Sequence, residues 1–140
     1  MVWRQWREIV KRTRKRNIRR MAKNFTGSKA WQATHKLVIV TYRFLRSFPP
    51  EESFSLKSEI QRAAVAVTMN MSKACSFDDV DERLKYLLAA QTAMVELQNA
   101  LLIARDVTYL KPAYYDEIAR QVVAAHTQIV SQIKAAQGIV

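Results

Sequence analysis

Two histidines, one cysteine and one acidic run are the side chains of this 140-residue chain that could move protons, attack a carbonyl or hold a metal. They are His35, His126, Cys75, and Asp78, Asp79 and Asp81 with Glu82. Their spacing argues against each use. Neither histidine has a cysteine or carboxylate at metal-ligand spacing, and the sequence has no Glu-x-x-His pair of the kind that builds a di-metal centre inside a helical bundle. Cys75 stands alone, so no intrachain disulfide forms, and it reads as a small buried hydrophobe in a reducing, cytoplasmic compartment. The only glycines, Gly27 and Gly138, lie 111 positions apart, which removes a glycine-rich phosphate loop. Asp79 and Glu82 have capping-box spacing, so the acidic run reads as a helix start rather than a general acid/base pair. The expectation is a chain without catalytic activity, metal or cofactor.

Charge is the stronger signal. The net charge is +11, but residues 1–29 hold eleven Lys and Arg against the single Glu8, while residues 30–140 hold twelve basic and eleven acidic groups. The run "KRTRKRNIRR" at 11–20 has seven charges in ten residues and no acid. Such density attracts phosphate backbones through counterion release, with little sequence preference and strong salt dependence. The expected phosphate contacts are Arg4, Arg7, Lys11, Arg12, Arg14, Lys15, Arg16, Arg19 and Arg20, with Trp3 and Trp6 available to stack on unpaired bases. Nucleic acid is favoured over lipid because the apolar face of this segment lapses after Val10. Met21 is a second candidate start; residues 21–140 carry 14 basic and 11 acidic groups, and the arm argument largely disappears from them.

These side chains need elements to hold them. Two glycines and three prolines leave few breaks, and Ala, Leu, Gln, Lys, Arg and Glu favour helix. Residues 1–24 read as a basic arm, either an amphipathic helix or a segment that folds on contact. Residues 25–140 read as four helices. The first, at about 30–48, has two apolar stripes: Trp31, His35, Val38, Tyr42 and Leu45, and Leu37, Val40, Phe44 and Phe48. The second, at about 51–75, has Leu56, Ile60, Ala63, Val67, Met71 and Ala74. The third, at about 80–107, is broadly apolar through Leu84, Leu87, Leu88, Met94, Val95, Leu101 and Leu102. The fourth, from Pro112 to about 137, carries Tyr115, Ile118, Val122, Ala125, Ile129 and Ile133, with a shoulder at Ala119, Val123, His126 and Val130.

Short connections between four long helices predict an all-α, antiparallel up-down four-helix bundle. Apolar surface beyond one stripe per helix predicts a homo-oligomer. No apolar run approaches the ~20 residues of a membrane span, and the N-terminus lacks the apolar core of a secretory signal, so no membrane partner is expected.

One polar group interrupts the small-residue centre of the second helix, "SEIQRAAVAVTMN" at 58–70. Arg62 lies off the core stripe, on a line with Val65 and Met69 assigned to a contact between subunits. A buried guanidinium needs a partner. Glu96 and Glu59 are the candidates, with helix-end carbonyls as the alternative, and Asn70 is expected to satisfy backbone groups nearby. Arg62, Asn70 and Glu96 are thus read as structural polar residues.

The stretch from Ser28 to Phe77, with Trp31-Gln32-Ala33, Tyr42, Phe48-Pro49, Glu51-Glu52, Leu56, Arg62-Ala63-Ala64 and Asn70, resembles the four-helix-bundle proteins encoded in intervening sequences of bacterial large-subunit ribosomal RNA genes. Residues 86–110, with Glu96-Leu97 and the Tyr109-Leu110 ending, continue the likeness, which covers about residues 25–137. That family is related to the accessory protein Avd of diversity-generating retroelements. This chain departs from it in the second helix: Glu59 replaces Gln, Gln61 replaces Arg, Ala66 replaces Ser, Thr68 replaces Pro, and Ser72-Lys73-Ala74 replaces Ala-Glu-Gly. Losing that proline and glycine predicts a straighter, longer helix. The resemblance implies a homopentamer with a channel and a positively charged surface, and, in the retroelement branch, a reverse transcriptase partner acting on template RNA and cDNA.

The functional expectation is a non-catalytic, oligomeric bundle that binds RNA or RNA/cDNA and assists a reverse transcriptase or another RNA process. The alternative is a protein-interaction scaffold with no direct nucleic-acid role.

Overall fold

The computed structural model describes residues 4–9, 11–12 and 25–139. All regular structure among them is helical. Residues 4–9 and 11–12 are helical, followed by α1 (Lys29–Phe44), α2 (Leu56–Ser76), α3 (Val80–Asp106) and α4 (Pro112–Ala136). The helical arm residues make a fifth helical stretch beside the four long helices read from periodicity. Each long helix packs on two others: α1 on α2 and α4, and α3 on α2 and α4, with the α2–α3 seam the most extensive.

The helix boundaries have local causes. Ser28 caps α1, its Oγ accepting from the Trp31 N–H at 3.3 Å. The helix was expected to run to Phe48. Instead, its last turn tightens into a 3-10 turn at Leu45–Ser47, and Phe48 is extended, as a residue before proline must be. Pro50–Glu52 forms only a second 3-10 turn, so α2 begins at Leu56 rather than Glu51. The Glu52 carboxylate accepts from the Ser55 hydroxyl and from the Leu56 N–H, supplying the cap that α2 otherwise lacks. Asp79 caps α3 through the Glu82 N–H at 3.1 Å. Thr108, with φ of 65°, ends α3, and Gly138, with φ of 74°, ends α4. Both ends use the same pair of bonds: Thr108 N–H to Arg105 and Tyr109 N–H to Ala104, then Gly138 N–H to Ala135 and Ile139 N–H to Lys134. A β-branched residue in that conformation is strained where glycine is not.

The core selects among the stripes. In α2, Ile60, Ala63, Val67, Met71 and Ala74 are buried, and in α4, Ile118, Val122, Ala125, Ile129 and Ile133. In α1 the inward set is Ala30, Thr34, Leu37, Val40 and Thr41. Of the first α1 stripe read from sequence, His35 and Tyr42 are exposed, Trp31 and Val38 are half-buried against the core, and Leu45, just past the helix, is fully buried. α2 runs unbroken through Thr68, whose hydroxyl accepts from the buried Thr34 hydroxyl at 3.2 Å. α3 is long and apolar enough to cross a membrane by length and composition, contrary to the expectation that no segment would be. It buries eight residues in the core, from Leu87 to Ala104, and a core helix passes the same test.

Candidate functional site

Three groups of polar side chains on this frame could meet a partner. The first is the arm. Arg4, Arg7, Lys11 and Arg12 are exposed, and Lys11 pairs with Glu8 at 3.4 Å on the same helical face. Arg14, Lys15, Arg16, Arg19 and Arg20 lie outside the described residues, as does Trp3; Trp6 is exposed.

The second group sits on the α2–α3 seam. Arg62 Nη2 donates to Glu59 at 3.0 Å and to Glu96 at 2.9 Å. Glu59 is one turn back on α2 and Glu96 is central on α3, so the guanidinium bridges the two helices. The Glu59 and then the Glu96 carboxylate hold Arg62 above its ordinary value. The Arg62 side chain is 56% exposed, however. The charge read as buried therefore lies at the surface of the single chain, because Ala63 and Ala64 turn inward beside it and carry the packing instead. Asn70 Nδ2 donates to the Ala66 carbonyl at 2.8 Å, within α2.

The third group was not anticipated. Arg43 and Arg46, at the C-terminal end of α1 and in the following 3-10 turn, meet Lys57 and Gln61 of α2 across a groove of about 550 Å³, with Ile39 and Tyr42 completing its wall. Ile39, Tyr42, Arg43 and Arg46 recur at helical spacing along α1 and the 3-10 turn that follows it, and Lys57 and Gln61 stand one turn apart on α2. The signal in the sequence was weak, since residues 30–140 are close to neutral and the three cations come from two different helices.

Residues with catalytic chemistry stay apart from such groups. His35 stacks on Trp31 with ring centroids 4.8 Å apart, His126 is exposed on α4, and Cys75 is half-buried. Among the described residues no three His, Cys, Asp or Glu side chains converge on a metal position.

An apolar row completes the surface. Leu87, Met94 and Leu101 of α3 point into the core, while their neighbours Leu88, Val95 and Leu102 stand exposed, Val95 at 61%. The row repeats every seventh residue, as a helix-packing seam does. Val123 is exposed on α4, and with Leu102 it lines an apolar groove of about 450 Å³ between the two helices.

Residues 26–133 match the family model of the 23S rRNA-intervening sequence protein, a range that takes in α1, α2 and α3 whole and all but the last turn of α4. No curated protein matches the chain. The match extends over well more than half of the sequence and includes the Arg62 seam and the Arg43–Lys57 groove, so the chain belongs to the 23S rRNA-intervening sequence protein family.

Proposed function

We propose that this chain is a non-catalytic, oligomeric helical-bundle protein of the cytoplasm that binds RNA or RNA/cDNA and serves as an accessory in an RNA process. The observation that carries the reading is the charge distribution. Residues 1–29 hold eleven cations against one acid, and the described ones, Arg4, Arg7, Lys11, Arg12 and Lys29, are exposed. Cations at this density bind phosphate chains by releasing their counterions. The family's link to ribosomal RNA genes supports an RNA partner, and the resemblance to Avd supports a place beside a reverse transcriptase.

In this reading the four long helices run alternately up and down. Thr34 lies opposite Thr68, and further along α1 Arg43 lies opposite Lys57, which fits α1 and α2 in opposite directions. The exposed row Leu88, Val95 and Leu102 would be covered by further copies of the chain, and the family resemblance points to five.

Fluorescence anisotropy with a structured RNA at ~50 mM and ~200 mM salt tests the proposal, because each phosphate contact steepens the salt dependence. Binding that weakens at the higher salt, and again when Arg4, Arg7, Lys11 and Arg12 become Gln, is the expected result. No binding at the lower salt overturns it.

A second reading, a protein-interaction scaffold, is favoured by the same apolar row. It predicts a retained protein partner and no RNA affinity in either the unaltered chain or the Gln variant. Light scattering on the purified chain reads the oligomer number.

A further inference from the structure

Across the packed helices, many of the described cations have a partner within the chain. Arg62 meets Glu59 and Glu96, Arg105 meets Asp106, and Arg120 meets Glu117. Arg83 donates to the Phe77 and Asp78 carbonyls. Lys73 and Lys85 lie over the Tyr86 ring, and Lys111 over Tyr114. In the groove between α1 and α2, by contrast, three cations, Arg43, Arg46 and Lys57, stand together and no carboxylate lines the wall.

Helix electrostatics account for part of this cluster only. Arg43 is in the last turn of α1, where carbonyl ends favour a cation. Lys57 is in the first turn of α2, where the N–H ends disfavour one. It is also half-buried beside two guanidinium groups. Like charges gathered against the helix dipole raise the energy of the free chain and lower it again when an anion arrives. The neighbouring acid, Glu52, is engaged elsewhere: the Ser55 hydroxyl, then the Leu56 N–H and the Tyr109 hydroxyl, hold it below its ordinary value.

The groove also has a flat apolar wall. Tyr42 is 41% exposed and Ile39 48%. The ring pairs among the described residues join Phe25 to Trp31, Trp31 to His35, Phe44 to Tyr114, Phe48 to Tyr109 and Phe77 to Tyr86, and Tyr42 belongs to none of them. A cationic groove with an exposed, unstacked aromatic ring is the pattern that binds single strands, whose bases are free to stack.

We infer that the α1–α2 groove binds single-stranded RNA, with Arg43, Arg46 and Lys57 on successive phosphates and Tyr42 stacked on an unpaired base. Gln61, with a donor and an acceptor at the groove wall, faces the base edges. This rests on the RNA-binding reading above and gives it a site on the helical frame, separate from the arm.

The test uses the full chain and a fluorescein-labelled uridine 12-mer, read by anisotropy at ~50 and ~200 mM KCl. Replacing Arg43, Arg46 and Lys57 by Gln removes up to three phosphate contacts, so the log–log salt slope falls by about 2 and affinity at low salt drops by about tenfold or more. Tyr42→Ala weakens binding by about tenfold through lost stacking. All four side chains reach solvent, and circular dichroism checks that the variants keep their helix content. Ultraviolet cross-linking of a 4-thiouridine strand to Tyr42, mapped by mass spectrometry, gives a second readout that does not depend on affinity.

Unchanged affinity in the groove variants, with loss only when Arg4, Arg7, Lys11 and Arg12 become Gln, overturns the groove and leaves RNA binding standing. No binding of either the 12-mer or structured RNA by the unaltered chain overturns both. Equal competition by polyglutamate, with Tyr42→Ala binding as the unaltered chain does, overturns RNA as the occupant in favour of an acidic protein.

Discussion

Lys57 and Arg62 are close neighbours on α2, and the surroundings of the two cations are opposite. Arg62 reaches across the α2–α3 seam to Glu96 and back to Glu59, so its charge is answered within the chain. Lys57 faces Arg43 and Arg46 across the α1–α2 groove, where its charge is repeated rather than answered. A short distance along one helix thus separates a charge cluster that is complete from one that is open. A complete cluster at the surface adds little to stability and has nothing left to offer a partner. An open cluster keeps its full attraction for an anion that the chain does not contain.

The contrast can be broken most severely in the core beneath the seam. Leu97 is fully buried next to Glu96 in the sequence. Leu97→Ala should cost about 2–5 kcal/mol in chemical denaturation, as large-to-small core changes do. Glu96→Ala should leave the melting temperature within about 2 °C, because an exposed pair contributes little. If the two changes cost the same, the seam rests on its ion pairs and the contrast fails.

Behind the groove, Thr41 is buried and its hydroxyl has no partner among the described residues. Thr41→Val keeps the shape and removes the unpaired group, so it should raise stability by about 1 kcal/mol without changing RNA affinity.

Lys57→Glu separates stability from binding. An acid in the first turn of α2 suits the helix dipole and should stabilise the chain by about 0.3–1 kcal/mol, while RNA affinity falls at least as far as with the neutral variant. A drop in both would assign Lys57 to the fold instead.

Arg62→Ala is the smallest effect expected in the isolated chain, a shift within about 2 °C with unchanged RNA binding. A larger loss accompanied by dissociation of the oligomer would place Arg62 in a contact between copies.

Acid should act on the paired charges first. Arg120, then Gln121, holds Glu117 below its ordinary value, and Ser55 does the same for Glu52. The stabilisation from both is present above the ordinary carboxylate range and is lost as pH falls through their lowered folded values. Thermal melts of Glu117→Gln should show a shallower acid limb than the unaltered chain. Neutralising Arg43, Arg46 and Lys57 should leave that limb unchanged, since no carboxylate lines the groove.

How far the sequence could be read depended on whether one helix carried the whole signal. The core lines of α2 and α4 were legible because each is a single apolar stripe with steps of three and four. In α1 two stripes of equal weight competed, and periodicity could not choose between Leu37 with Val40 and Trp31 with Tyr42. In α3, Leu87 and Leu88 are adjacent and equally apolar, as are Met94 with Val95 and Leu101 with Leu102, so only the neighbouring helices decide which of each pair turns inward. The acids near Arg62 could be named because few acids stand along α2 and α3. The groove was not legible, because Arg43, Arg46 and Lys57 are unremarkable within their own helices.

The sequence by itself determined the helical class, the places where helices start and stop to within a turn or so, and the concentration of charge in residues 1–29. These follow from local propensity, capping chemistry and composition, which act between residues near in the chain. Only the tertiary structure decided which face of α1 and α3 is buried, that Arg62 is exposed, and that Arg43, Arg46 and Lys57 share one groove. Those outcomes depend on how helices lie against each other, and a charge becomes unpaired only once packing has settled which other charges are within its reach.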